Sequence, residues 1–388
     1  MINNKKILSV YFFYLTLGCI FYLILQINDF PNKYTFTDWL INYEGGFVRR
    51  GLLGQIVFEL SIFLNIQVKY IILFFQIIIY FIYFILFYQA LIKIKINFFW
   101  LLLIFSPILF LYPLTELEAL GRKDIFVISL FLIFSIINYK NLNSLVFSFI
   151  FIFSLSSFIH EITIFYIFHY FFVFFMKKMI FFNEKISGNY YLIFFLCIFL
   201  LLYLNLYLHN FVVIENIVNS YDLDDFTEFS GSFSHISPSI DSVFLKTIYN
   251  IDIFSVIRYG FLFLINTMPF ILFIKIKDGY KKKYFNTLSI YFVITLLSVP
   301  LYLLILDWGR VIYINYNFFI IIVIFLFSLD LVDKDYLEKK LKILNKKTKI
   351  FIFTFICLLF SPKILVTDDL ASLPLYRSIT KTLKYLFL

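Results

Sequence analysis

Residues 70–92 read YIILFFQIIIYFIYFILFYQALI, and no charged residue interrupts this run. An α-helix rises 1.5 Å per residue, so about 20 apolar residues cross the roughly 30 Å hydrocarbon core of a bilayer. The run is therefore long enough and apolar enough to form a transmembrane helix. Lys93 and Lys95 follow it, and lysines of this kind flank membrane spans on the cytoplasmic side.

The same composition extends along the whole chain of 388 residues, of which 62% are hydrophobic and only 15% are charged. Soluble domains contain roughly 45–50% apolar and about 25% charged residues. These values exclude a soluble enzyme and a disordered protein. The three cysteines lie far apart in apolar runs, which argues against a disulfide framework or a CxxC metal motif.

We therefore predict an all-α fold, a polytopic bundle of about eleven transmembrane helices that forms a single integral membrane domain over residues 1–388. We also expect an amphipathic helix near 47–60 at the outer face and one long outer loop near 210–254. The candidate spans lie near 7–25, 70–92, 97–113, 125–138, 142–159, 162–176, 190–208, 255–274, 286–306, 311–329 and 350–362.

Lysine-rich connections alternate with connections that lack this bias. By the positive-inside rule, the lysine-rich connections and the N-terminus are cytoplasmic, and the other connections lie on the outer side of the membrane. The net charge of +9 then reflects membrane orientation and contact with lipid headgroups, and we expect no nucleic-acid partner. All the arginines fall on the outer side under this topology: Arg49, Arg50, Arg122, Arg258, Arg310 and Arg377.

Arginine has a chemical advantage over lysine at a phosphate site. Its planar guanidinium binds phosphate through two parallel hydrogen bonds and keeps its charge. Arginines at the outer ends of several spans therefore indicate a pocket for a phosphate or diphosphate group. The alternative is that lysine is simply the default base of this chain and that the arginines are scattered by chance.

Residues 42–51 read NYEGGFVRRG, and a helical stripe of apolar residues follows them. We interpret this segment as a glycine turn that leads into a surface helix, whose N-terminal end beside Arg49 and Arg50 favours an anion. Glu44 is a candidate base in the same segment. A tight turn with two interfacial arginines is the structural alternative.

Three further segments place charged residues between apolar runs. Residues 116–124 read ELEALGRKD, residues 160–161 are His-Glu, and residues 307–310 read DWGR. Ionisable groups at membrane depth are costly and commonly face a polar cavity, so each segment is a candidate site. The structural alternatives are ordinary hairpin loops and, for Asp307 and Arg310, an i,i+3 ion pair on one helix face.

Together, the segments 42–51, 121–124, 160–161 and 307–310 are similar to membrane proteins of bacterial O-antigen and capsule clusters that are assigned as Wzy-type O-antigen polymerases. The resemblance implies a glycosyltransferase of the bacterial inner membrane that moves a growing glycan from undecaprenyl diphosphate onto a lipid-linked repeat unit, with its active face on the periplasmic side. It implies no cofactor and no metal. The expected partners are lipid-linked oligosaccharide, membrane lipid and a chain-length regulator.

The resemblance also implies roles for ten residues. The expected diphosphate ligands are Arg49, Arg50, Arg122 and Arg310; the candidate bases are Glu44, Glu161 and Asp307; the expected further substrate contacts are His160, Lys123 and Trp308. Two other functions stay open. One is a GT-C-type glycosyltransferase that uses a polyprenyl-phosphate sugar and an acidic residue of the first outer loop, where Asp38 and Glu44 lie. The other is a flippase for lipid-linked oligosaccharide.

Overall fold

The computed structural model describes residues 4–28, 33–182, 213–221, 231–235, 240–281, 286–296, 298–358 and 361–365, together with positions 195, 196, 199 and 201. These residues are predominantly helical, and the only β pairing among them is the isolated bridge between Ile276 and Val332. The prediction of an all-α protein is therefore confirmed for the described part of the chain.

The α-helices are numbered here in chain order. They are α1 (Asn4–Asn28), α2 (Lys33–Leu40), α3 (Leu52–Leu64), α4 (Val68–Ile92), α5 (Phe98–Ile104), α6 (Tyr112–Thr115), α7 (Asp124–Ile136), α8 (Leu142–Ile159), α9 (Ile167–Lys177), α10 (Ile214–Asn219), α11 (Ile240–Asn250), α12 (Ile253–Phe273), α13 (Asp278–Lys281), α14 (Thr287–Leu296), α15 (Val299–Leu304), α16 (Trp308–Ser328), α17 (Lys334–Ile343) and α18 (Lys346–Cys357). The 3₁₀ segments Glu161–Tyr166 and Gly231–His235 and the π turn Lys178–Phe182 complete the helical structure.

Six helical segments of the described chain are long and apolar enough to cross a membrane. They are Lys5–Ile27, Val68–Ile92, Leu142–Ile159, Glu161–Phe182, Ile253–Phe273 and Trp308–Ser328. The predicted number of about eleven spans is not confirmed. The segment 190–208 lies mostly outside the described residues, and the remaining predicted spans form shorter helices.

Proline explains why two of the predicted spans are interrupted. The run 97–113 contains Pro107 and Pro113, and it folds as α5 and α6 with an irregular turn between them. The run 286–306 contains Pro300, and it folds as α14 and α15. Proline lacks an N–H donor and is tolerated in the first turn of a helix but disfavoured in its interior, so hydropathy alone overestimates the continuity of these runs.

The two surface features expected outside the spans take a more definite form. The helix predicted near 47–60 begins at Leu52 and turns Leu53, Gly54 and Val57 inward. The described parts of the loop near 210–254 are helical, because they contain α10, the 3₁₀ segment Gly231–His235 and α11. That region is therefore not a simple irregular loop.

The chain folds into two compact units. The first contains residues 1–19, 84–120 and 240–388, and the second contains residues 20–83 and 121–239. In the first unit, α16 is buried almost all round and packs against α12, α14 and α15. Because nearly every side chain of α16 is buried by the surrounding protein, this helix forms the centre of the unit.

In the second unit, the polar centre is formed by helix ends and turns rather than by the faces of helices. Helix α7 packs on α8, α8 packs on α9, and α2 packs on α3 and on Gly231–His235. This packing collects the end of α2, the turn before α3, the start of α7 and the break between α8 and the 3₁₀ segment that follows it. Five charged side chains that the structure describes lie at these four places: Asp38, Arg50, Lys123, Asp124 and Glu161.

Candidate functional site

An ion-pair network forms where these helix ends and turns meet. Asp38, near the end of α2, accepts a hydrogen bond from Arg50 Nη1 at 3.3 Å. Nη2 of the same guanidinium pairs with Oε1 of Glu161. Arg50 thus bridges two carboxylates that are far apart in the sequence, and it does so from a left-handed backbone conformation with a φ of 59°.

The second half of the network lies at the break after α8. His160 leaves the helix in an extended conformation, and its Nδ1 accepts a hydrogen bond from the backbone N–H of Ile162 at 3.2 Å. That bond leaves the ring proton on Nε2, which lies 3.4 Å from Oδ1 of Asp124. Oε2 of Glu161 lies 3.3 Å from Nδ1, so His160 stands between two carboxylates.

The turn that carries Lys123 and Asp124 is held by buried hydrogen bonds to Gly121. The carbonyl of Gly121 accepts from Trp39 Nε1 at 2.6 Å and from Gln76 Nε2 at 2.9 Å. Its N–H donates to the hydroxyl of Tyr80 at 3.3 Å. Since Trp39 directly follows Asp38 in the chain, this contact fixes the start of α7 relative to the end of α2.

Lys123 contributes a fully buried cation to the network. Its Nζ donates to the backbone carbonyl of Arg50 at 2.8 Å, and burial lowers the pKa of Lys123 to about 8 despite the nearby Asp38. Burial alone would raise the pKa of Asp38, but Lys123 and Arg50 outweigh burial and hold that pKa below its ordinary value. Asp38 is therefore ionised at neutral pH.

Two further arginines act on the same carboxylates. Arg49 is stabilised by Glu161, although burial still lowers the pKa of Arg49. Arg122 is buried, lies over the ring of Tyr34 at 5.9 Å, and helps to lower the pKa of Asp38. The network thus combines four cations and three carboxylates with His160.

The network retains capacity for a ligand. Among the described residues, no donor forms a hydrogen bond to Oδ2 of Asp38, although this atom is buried. The side chains of Arg50 and Glu161 remain 15% and 17% exposed, so a small polar group can reach them from outside. No cluster of three or more His, Cys, Asp or Glu with metal-binding geometry occurs in the described part of the chain.

Six of the ten predicted site residues belong to this network: Arg49, Arg50, Arg122, Lys123, His160 and Glu161. Glu44 does not, because its exposed carboxylate accepts a hydrogen bond from Gln55 at 3.2 Å. The remaining three predicted residues belong to the first unit and are described separately.

In the first unit, Arg310 pairs with Asp307 at 2.9 Å, which is the i,i+3 contact expected from their spacing. Trp308 is buried, and its Nε1 donates to the carbonyl of Tyr302 at 2.8 Å. The rings of Tyr259 and Tyr302 meet it edge to face. Arg377 lies outside the described residues.

Sequence reasoning missed two carboxylates of the network as site residues. Asp124 was present in the charged segment 116–124, and Asp38 was considered only for the alternative transferase. Asp124 lies directly beside Lys123, which was selected on charge, but nothing in the spacing of either carboxylate shows which of them faces a cation. Gln76, a buried amide within an apolar span, was the available signal for the contact that holds Gly121.

No protein-family model matches this chain, and neither a curated protein nor a solved structure is significantly similar to it.

Proposed function

We propose that this protein is a membrane glycosyltransferase that polymerises O-antigen or capsule repeat units from an undecaprenyl-diphosphate donor. The observation that carries the proposal is the network around Arg50, with its clustered guanidinium groups and the oxygen of Asp38 that receives no hydrogen bond from the described residues. Guanidinium groups bind diphosphate through paired hydrogen bonds, and a carboxylate oxygen accepts the proton of an attacking hydroxyl.

The proposed reaction requires little of the protein beyond charge and position. The guanidinium groups of Arg49, Arg50 and Arg122 bind the donor diphosphate and stabilise the negative charge that develops on it as the bond from the sugar anomeric carbon to the phosphate oxygen breaks. The acceptor hydroxyl oxygen forms the new bond to that carbon. Its proton passes to a carboxylate, either Asp38 through Oδ2 or Glu161 through Oε2.

One observation favours a second candidate, the GT-C-type transferase that uses a polyprenyl monophosphate sugar. Asp38 lies between the first two membrane helices, which is where that class is expected to carry an acidic residue, and it is held among cations. The other candidate in this segment, Glu44, is exposed outside the network. The second candidate predicts that cells without the protein lack part of the repeat unit rather than its polymer.

Electrophoresis of lipopolysaccharide from a deletion strain tests both candidates. A core that carries a single repeat unit, with a ladder restored by the wild-type gene, supports the polymerase. Complete loss of repeat units supports the second candidate or a flippase. An unchanged ladder contradicts all three for O-antigen, and capsule polymer is then measured in the same strains.

Two substitutions connect this phenotype to the network. At equal protein level, Arg50→Lys and Asp38→Asn should each reduce the amount of polymer in the ladder at least tenfold. Arg50→Lys removes the guanidinium that forms two hydrogen bonds at once, and Asp38→Asn removes the carboxylate that accepts the proton. Glu59→Gln is the matched control, since this exposed carboxylate of α3 contacts Gln55 and lies outside the network. A full ladder with Arg50→Lys would contradict the role of the guanidinium.

A further inference from the structure

The ring of His160 is buried at the break between α8 and the 3₁₀ segment that follows it. The backbone is fixed on both sides of the ring: the N–H of His160 donates to the carbonyl of Ser156 at 2.9 Å, and its carbonyl accepts from the N–H of Thr163 at 3.1 Å. From α9, the hydroxyl of Tyr170 lies 3.2 Å from Oγ of Ser156, and His169 packs its ring against the 3₁₀ segment. The ring therefore keeps its place, while the hydrogen bonds that it forms can change.

Nδ1 of this ring has two neighbours of opposite character. It accepts a hydrogen bond from the backbone N–H of Ile162 at 3.2 Å, and Oε2 of Glu161 lies 3.3 Å from the same nitrogen. A neutral Nδ1 and a carboxylate oxygen are both acceptors, so they do not bond to each other in this form. No donor among the described residues forms a hydrogen bond to Oε2, although this oxygen is buried.

A proton on Nδ1 exchanges these two contacts. The nitrogen has one position in the ring plane, which holds either a lone pair or a proton. The protonated nitrogen donates to Glu161 and no longer accepts from Ile162, so the 3₁₀ segment loses its side-chain cap. A charge-assisted hydrogen bond is roughly twice as strong as a neutral one, so the gain of the first contact outweighs the loss of the second.

The charged groups around the ring act in both directions. Oδ1 of Asp124, at the start of α7, lies 3.4 Å from Nε2, and Asp38 of α2 also interacts electrostatically with the ring. These carboxylates and Glu161 favour a protonated ring, whereas burial and the cations of the network oppose it. Those cations come from the turn before α3 and the turn before α7: Arg49, Arg50, Arg122 and Lys123.

We propose that His160 is a positioning residue that switches Glu161 between two states. The neutral ring caps the 3₁₀ segment and leaves Oε2 open to the proton of an attacking hydroxyl. The protonated ring donates to Oε2, so the carboxylate is paired with an imidazolium as well as with the guanidinium of Arg50 and becomes a weaker base. The consequence for polymer formation rests on the proposed function, whereas the exchange of hydrogen bonds rests on the geometry of the ring.

Nitrogen NMR of the full-length protein in detergent tests the exchange directly. The chain contains four histidines, so ¹⁵N-histidine labelling gives few signals, and those of His160 are identified by their loss in His160→Asn. At about pH 8, Nε2 should carry a proton and Nδ1 none, and at about pH 5.5 both nitrogens should carry one. A proton on Nδ1 and none on Nε2 at the higher pH would overturn the cap.

Two carboxylate variants test what stabilises the added proton. Glu161→Gln removes the charge that pairs with Nδ1, so the protonated share of His160 at about pH 6 should fall at least threefold. Asp124→Asn should lower this share as well, and it leaves the bridge between Arg50 and Glu161 intact, so the test does not depend on the fold of the first variant. Glu59→Gln is the matched control, because this exposed carboxylate lies outside the network. Equal protonation in the wild type and both variants would overturn the proposal.

The consequence for polymer formation is measured as a ratio within each strain. The network lies on the outer side under the predicted topology, so the growth medium sets its pH. The ratio of polymer at about pH 5.5 to polymer at about pH 7.5 should be at least threefold lower for the wild type than for His160→Asn. Asparagine keeps an acceptor for the N–H of Ile162 but gains no proton in this range. Equal ratios in the two strains would overturn the control of the base by His160.

Failure of the proposed function would give a different result. If the deletion strain keeps its ladder, the polymerase assignment fails, while the NMR titration still shows or excludes the exchange at His160. If the ladder requires the protein and the two ratios are equal, the polymerase assignment stands and the proton passes to another group, for which Oδ2 of Asp38 is the candidate.

Discussion

At the scale of single residues, the bridge that Arg50 forms between Asp38 and Glu161 determines how the network responds to substitution. Removing one partner of a buried ion pair leaves the other charge uncompensated, at a cost of about 3–5 kcal/mol for a fully buried pair. Because these side chains keep some exposure to solvent, we expect Arg50→Met to lower the free energy of unfolding by about 2–3 kcal/mol.

The double variant Arg50→Met with Asp38→Asn separates this pairing from loss of packing. When the neutral amide replaces the carboxylate, the missing guanidinium no longer leaves Asp38 unpaired, so the double variant should be more stable than the sum of the single effects indicates. Thermal unfolding in detergent measures the difference. Strictly additive effects would show that the two side chains are not coupled in the folded protein.

The contribution of Lys123 to the stability of the folded protein depends on pH, and the sign of this dependence follows from its pKa. Its pKa in the folded protein is about 8 because it is buried, whereas a solvated lysine titrates near 10.4. Between these values the unfolded state binds more protons than the folded state, so the contribution of Lys123 to stability rises as pH increases from about 8 to about 10. Below pH 8 both states carry the proton and the contribution is constant.

The difference in thermal midpoint between wild type and Lys123→Met isolates this contribution from the other titrating groups. We expect the difference to move in favour of the wild type by an amount equivalent to about 3 kcal/mol across this range. Parallel pH curves for the two proteins would contradict the buried position of the ammonium group.

At the scale of elements, the start of α7 depends on the turn at Gly121. This residue has a φ of 84°, and a Cβ added to it would lie 2.7 Å from Nε2 of Gln76. Gly121→Ala should therefore strain the backbone and displace the amide that binds its carbonyl, at a cost of about 1–3 kcal/mol. Thermal unfolding measures this cost, and Gly279→Ala, with open space around it, serves as the control.

If the turn positions the network, polymer formation should respond as well. A small movement of Lys123 and Asp124 separates groups that lie about 3 Å apart in the folded protein, so the ladder of the Gly121→Ala strain should shorten even at equal protein level. A normal ladder from a destabilised Gly121→Ala protein would show that the turn is important only for folding.

How much the sequence predicts differs between helices and turns. The runs 70–92 and 311–329 were predicted closely, because a long apolar run without proline has few alternatives to a membrane helix. The interruptions were predicted less well, since Pro107 and Pro300 lie inside runs that remain apolar on both sides. Hydropathy measures burial and does not register the loss of a backbone donor.

The candidate site was partly predictable for a related reason. Charge at membrane depth is costly, so Arg50, His160 and Glu161 could be selected from the sequence as residues with partners. Their actual partners depend on which helix ends and turns meet in the folded protein, and the sequence alone does not show this. Asp38 illustrates the limit, because its importance comes from Arg50, Lys123 and Arg122, three residues that reach it from two later turns.

At the scale of the whole molecule, several ion pairs join positions that the lysine pattern predicts to lie on the same side of a membrane. Asp38, Arg50 and Glu161 were all assigned to the outer ends of spans, and they form one network. Lys95 and Glu338 were assigned to the cytoplasmic side, and Lys95 Nζ pairs with that carboxylate at 2.7 Å. Positions assigned to opposite sides would not form such pairs across a bilayer of about 30 Å.

Cysteine accessibility tests this topology in intact cells. After replacement of Cys19, Cys197 and Cys357 by serine, a cysteine at the exposed position Glu59 should react with a membrane-impermeant maleimide. A cysteine at the exposed position Lys339 should react only after the cells are permeabilised. Because α16 ends at the lysine-bearing connection that leads to Lys339, reaction of Lys339→Cys from outside would contradict the predicted orientation of this helix.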